Sequence, residues 1–198
     1  MKNIALALAG LLAFSLQAAA QAPASDWARQ GELKALVAGF KGAMTSSQVM
    51  AAKAPAPKKW ATLKYDPACI LATVADMMGL TLKDEIPAPA LRLESDTPLK
   101  RFQDAVAPQW GMRPDMFLNA YTPPTNEVYL MADAAYYSKL KRFLDDSLAH
   151  EYVHFFQVKY KDFPMDQFSD AEEGEAVGYQ TRFRDEYLTP GIVPPRCR

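Results

Sequence analysis

Histidine and cysteine are scarce in this chain, with two of each among 198 residues. Two histidines cannot supply a three-histidine metal site. The cysteines, Cys69 and Cys197, lie far apart and without CxxC spacing, so they do not suggest a thiolate metal site or a dithiol redox motif. There is no large excess of either charge: the formal net charge is −1, which gives no sign of a nucleic-acid or anionic-membrane partner. No Gly-rich phosphate loop and no internal repeat is found. Beyond the first twenty residues no apolar run approaches membrane-spanning length, so stable membrane insertion is not expected.

That first stretch is informative. Lys2 and Asn3 form a short positive start, an apolar run extends from Ile4 to about Leu16, and Ala18-Ala19-Ala20 offers a small-x-small cleavage pattern, with Ala20-Gln21-Ala22 as a second option. Residues 1–20 read as a secretory signal peptide, which predicts a secreted or periplasmic bacterial protein. In an oxidising compartment Cys69 and Cys197 could form a disulfide, and we favour that pairing; two separate buried thiols are the alternative.

Residues 21–59 read as an N-terminal segment. Trp27, Leu33, Leu36, Val37 and Phe40 give Ser25 to Ala43 an amphipathic helical pattern, and Ala51 to Lys59 (AAKAPAPKK) is a Pro/Ala/Lys linker. Residues 60–198 read as the main domain. Asp66-Pro67 marks a helix start before an apolar helix from Cys69 to Leu80, ending near Gly79, and Leu99 to Val106 predicts another. After the Pro123-Pro124 turn, Glu127 to Met131 (EVYLM) has the composition of a β-strand. From about Ala134 the pattern is helical, with Leu140, Phe143, Leu144, Leu148, Tyr152 and Phe155 on one apolar stripe; Ser169 to Leu188 predicts a further helix. The fold class expected is a mostly helical α+β domain with one small sheet.

Both histidines fall in one string, His150-Glu151-Tyr152-Val153-His154. On a helix, positions i and i+4 lie one above the other, so two imidazoles there can reach one ion. Glu151 projects differently and can act on a water at that ion as a general base. With no third histidine, the remaining ligand should be Asp or Glu from a second element. Ser169-Asp170-Ala171-Glu172-Glu173-Gly174-Glu175 supplies three glutamates. Ser169 and Glu172 match an S-x-x-E capping box, which gives Glu172 a structural task. Glu175 points away from the stripe formed by Ala176, Tyr179, Phe183 and Tyr187, toward solvent or Arg182, at 100° per residue. Glu173, at the edge of the stripe, is the best-placed ligand; Glu175 in that role stays open, as does an acidic first turn with no metal at all.

HEYVH, followed after 18 intervening residues by Glu173 in the string EEGEA, resembles the gluzincin group of zinc metallopeptidases. Gln157 adds a likeness to small exported bacterial proteins carrying HExxHxxQ. The resemblance spans roughly Tyr121 to Leu188. It implies a zincin-like domain, a zinc ion held by His150, His154 and Glu173, catalysis by Glu151, and a peptide or protein substrate. It also implies that an edge strand before the HExxH helix pairs with substrate; Glu127 to Met131 stands in that place. Gluzincins often use a histidine or tyrosine to stabilise the oxyanion; here Tyr179, Tyr187 or an arginine such as Arg182 must serve, or nothing does. Val177 stands where thermolysin-like enzymes carry an aspartate that orients a zinc-binding histidine, so a replacement must come from elsewhere. A non-catalytic zinc-binding interaction module is the alternative function, and a helical structural protein with an accidental HExxH is the third.

Overall fold

In the computed structural model, residues 58–198 are described. The signal peptide, the helix expected over Ser25 to Ala43 and most of the Ala51–Lys59 linker lie outside the described residues. The described chain is α+β, with five α-helices and one three-stranded sheet.

Helix α1 spans Pro67–Met77. Asp66 caps it by accepting from the Ala68 N–H at 2.8 Å, and Pro67 opens its first turn, where a missing N–H costs nothing. Strand β1, Ala90–Leu93, comes next, then helix α2, Leu99–Trp110, which runs four residues beyond Val106 and stops at Gly111 with φ 65°. Strands β2, Ala120–Thr122, and β3, Glu127–Leu130, form an antiparallel hairpin across the Pro123-Pro124 turn. The helical pattern that begins at Ala134 is divided. Helix α3, Ala134–Leu140, ends where Lys141 turns left-handed at φ 53°, and helix α4, Leu144–Lys159, starts afresh. Helix α5, Asp170–Phe183, passes into a π-type turn over Arg184–Leu188.

The strand order is β1-β3-β2, with β1 parallel to β3 and β2 antiparallel to it. This corrects the expectation for Glu127 to Met131: β3 is the central strand, and the edges belong to β1 and β2. β3 alone pairs on both sides, and its two faces serve two clusters. Val128 and Leu130 join Tyr121 in the main core beneath α4, α1 and α5, while Tyr129 packs with Ala120, Phe102 and Val106 on the α2 side. Glu127, on the same face as Tyr129, is kept charged inside by Arg92 (2.8 Å), Arg101 (2.7 Å) and the Tyr129 hydroxyl (2.6 Å).

Helix α4 is the spine. Thirteen of its 16 residues are buried, among them Asp145 and Asp146 in the first turn. The Asp145 carboxylate accepts from the backbone N–H groups of Lys64 (3.0 Å) and Tyr65 (2.9 Å), and so ties the segment before α1 to the start of α4. Asp146 accepts from the Phe143 N–H, Arg142 and Gln180, joining α4 to α5. Asp145→Ala leaves two N–H groups without an acceptor and is expected to cost at least about 2 kcal/mol, at 1–3 kcal/mol per orphaned group; a urea titration against the parent chain measures it.

The C-terminal tail returns to α1. Cys69 and Cys197 form a disulfide with Cα atoms 5.0 Å apart, and Arg196 pairs with Asp76 through two hydrogen bonds of 2.7 and 2.8 Å.

Candidate metal centre

The middle of α4 faces the first turn of α5, and the site forms there. His150 and His154, one helical turn apart, bring their Nε2 atoms within 3.0 Å of each other. From α5, Glu173 places Oε2 at 3.5 Å from His150 Nε2 and Oε1 at 3.4 Å from His154 Nε2. The three side chains form a group able to hold a metal ion. Four donors at about 2.0–2.1 Å from a tetrahedral zinc stand about 3.3–3.4 Å apart, so separations of 3.0–3.5 Å are those of three corners of such a site. The donor set of two imidazoles and one carboxylate suits zinc. Two imidazole nitrogens this close also need a proton or a cation between them.

Local sequence explains how Glu173 arrives. Ser169 caps α5: its hydroxyl accepts from the Ala171 N–H, and Glu172 reaches back to the Ser169 N–H at 2.8 Å. The capping box read from the sequence is therefore present. It commits Glu172 to the helix end and turns the next residue, Glu173, toward α4. The His150 and His154 side chains are 15% and 5% exposed and Glu173 is 45% exposed, so the cluster opens to solvent on the α5 side. Phe168, just before α5, covers the His154 ring with centroids 5.3 Å apart, and Phe163 packs on Phe168.

The electrostatics are uneven. Hydrogen bonding from His150 and His154 holds the Glu173 carboxyl far below the usual carboxylate range. Burial acts against an imidazolium at His154, but Glu173 and Glu151 outweigh it and the net shift is upward. Glu151 is only 4% exposed, and burial raises its pKa above the ordinary value despite opposing contributions from both histidines and the Tyr121 backbone N–H. A buried carboxyl with a raised pKa thus lies beside a group able to hold a metal ion.

Solvent and Arg182 are the two directions expected for Glu175, and its side chain is one-third exposed. It does not turn toward Arg182, which pairs with Glu186 at 2.7 Å. Instead its carboxylate accepts from Gln157 at 2.9 Å and from Lys161 at 2.6 Å. Gln157 in turn places Oε1 2.8 Å from His154 Nδ1. This gives His154 the hydrogen-bond partner that Val177 cannot supply. The sequence carried the signal in Gln157, three residues after His154 and so on the same side of α4. His150 has no counterpart: its Nδ1 is buried without a hydrogen-bond partner.

The three residues considered for oxyanion stabilisation are not gathered at the cluster in the same way. Arg182 and Tyr187 lie 9 and 14 residues past Glu173, about 13 and 21 Å along a helix axis, and Tyr179 is partly buried against the main core. The strand edge also moves. The Tyr121 backbone N–H acts on Glu151, so β2 reaches the site.

Compared with protein-family models, curated proteins and solved structures, the chain matches none.

Proposed function

We propose that this protein is a zinc-dependent metallohydrolase acting on peptide bonds. The observation that carries the reading is the convergence of His150, His154 and Glu173 with the buried carboxyl of Glu151 beside them. Zinc in such a site supplies Lewis acidity and lowers the pKa of a water toward about 7. Glu151 takes the proton from the attacking water and delivers it to the leaving amine. Strand β2, at one edge of the sheet, is where an extended peptide would pair as an added strand. Glu173, the most exposed of the three ligands, lies on the open side by which substrate enters.

Export follows from the same reading. The Cys69–Cys197 disulfide suits an oxidising compartment, and among the described residues no helix is long and apolar enough to cross a membrane. With the signal-peptide pattern of residues 1–20, these features support a secreted or periplasmic location.

A non-catalytic zinc-binding module is the second reading. It is favoured by the engagement of Arg182 with Glu186 and by the distance along the chain of Tyr187 from Glu173. Loss of an oxyanion donor costs about 10²–10³ in rate, so a fold that kept its metal and lost this group would bind zinc without useful turnover.

Metal content by elemental analysis tests the site itself. One zinc per chain is expected in the wild type, lost in Glu173→Ala and retained in Glu175→Ala. A wild type that takes up no zinc on incubation would refute the reading. Hydrolysis of a peptide library by the zinc-loaded protein then separates the peptidase from the binding module.

A further inference from the structure

Gln157 is 1% exposed, and every polar atom of its side chain is used. Its amide nitrogen donates to the Glu172 carbonyl at 3.0 Å and to Glu175 Oε2 at 2.9 Å. A backbone carbonyl has no proton to return. The Glu175 carboxylate has none either while Lys161 holds its other oxygen at 2.6 Å. Rotating the amide by 180° would set Oε1 against two oxygens and lose both bonds. The orientation is therefore fixed with Oε1 toward His154 Nδ1, 2.8 Å away. An oxygen without a proton faces that nitrogen, so Nδ1 must carry one. A neutral imidazole has a single N–H, so in the neutral ring His154 Nε2, beside His150 Nε2 and Glu173, carries the lone pair; only the imidazolium also has an Nε2–H to give to the Glu173 carboxylate.

We infer that Gln157, locked by Glu175 and Lys161, is a positioning residue that presets His154 in its metal-binding tautomer, and that Glu175 acts through this relay and not as a ligand. The relay spans both helices of the site: Gln157 and Lys161 stand at the end of α4 and just past it, and Glu172 and Glu175 in the first two turns of α5. The packing of α5 on α4 thus orients the amide and delivers Glu173 in one arrangement. His150, with Nδ1 unpartnered, has no equivalent lock, so the preset ligand of the pair is His154. The effect on metal affinity rests on the metal-site reading above; the tautomer itself does not.

With only two histidines in the chain, long-range proton–nitrogen NMR of the metal-free, nitrogen-15-labelled protein resolves both rings. At alkaline pH, His154 of the wild type is expected to show a protonated Nδ1 and an unprotonated Nε2. Gln157→Leu is expected to give a mixture of tautomers and to lower zinc affinity about 10–100-fold in competition with a chelating dye. Glu175→Ala, at a side chain that is one-third exposed, removes one of the two acceptors that hold the amide and is expected to give a smaller NMR change in the same direction with a smaller loss of affinity. It carries the test if the buried substitution fails to fold. An Nε2–H tautomer in the wild type, or an unchanged tautomer and affinity in both variants, would overturn the relay. So would zinc lost with Glu175→Ala and kept with Glu173→Ala, since Glu175 would then be the ligand. If the wild type binds no zinc and His154 is still Nδ1-protonated, the relay stands and the metal reading falls.

Discussion

Glu151→Gln is expected to lower peptide turnover by about 10²–10⁴-fold while leaving one zinc per chain, as removal of a general base should. The substitution is close to isosteric. Glutamine keeps an oxygen for the Tyr121 N–H and removes the charge that burial disfavours, so the variant should fold, with a thermal midpoint no lower than the parent's. Turnover, zinc content and melting of the same preparation separate the possibilities. A variant that keeps zinc, stability and turnover alike would remove Glu151 from the mechanism. A variant that loses zinc would show that Glu151 supports the metal and not only the water. If the wild type shows no hydrolysis at all while holding zinc, the non-catalytic reading gains, and Glu151 becomes a remnant of an older chemistry.

Loss of the Cys69–Cys197 disulfide should produce the largest change in stability. The bridge closes a loop of 128 residues. In the chain-entropy model a loop of that length restricts the unfolded ensemble by about 4–5 kcal/mol. For a domain with a total stability of about 5–15 kcal/mol, this is a large share. Denaturant titration of a Cys69→Ser/Cys197→Ser variant should show a midpoint well below that of the oxidised parent. The remaining tail contacts, Arg196 with Asp76 and the Tyr65 hydroxyl with the Ile192 carbonyl at 3.2 Å, are solvent-exposed and offset little of this. A difference below about 1 kcal/mol would mean that the tail is already held in the unfolded chain or contributes nothing. Because the bridge lies at α1 and the tail while the metal cluster is built on α4 and α5, the reduced protein should still bind zinc wherever it is still folded.

Much of the site is written locally. The spacing of His150 and His154 by four places both imidazoles on one side of any helix that contains them, whatever that helix packs against. Ser169 and Glu172 define the start of α5 by side-chain hydrogen bonding within four residues. That in turn fixes which way Glu173 leaves the helix. Helix α1 is legible for the same reason, since Asp66 and Pro67 are start signals that act over a single turn.

What the sequence by itself determined, then, is the histidine pair, the capped helix that presents Glu173, and an α+β chain with a strand before the HExxH helix. These are matters of period and capping, which act over one or two helical turns. The tertiary structure alone decided that β3 is central, because its parallel neighbour β1 comes from 37 residues earlier and no local pattern names a strand's partners. It also decided that the helix begun at Ala134 breaks at Lys141, and that β2 borders Glu151. Finally, it turned Glu175 from a rival ligand into the anchor of Gln157, because the angle of a surface carboxylate is known from helix periodicity, whereas the group it meets depends on how α5 packs on α4.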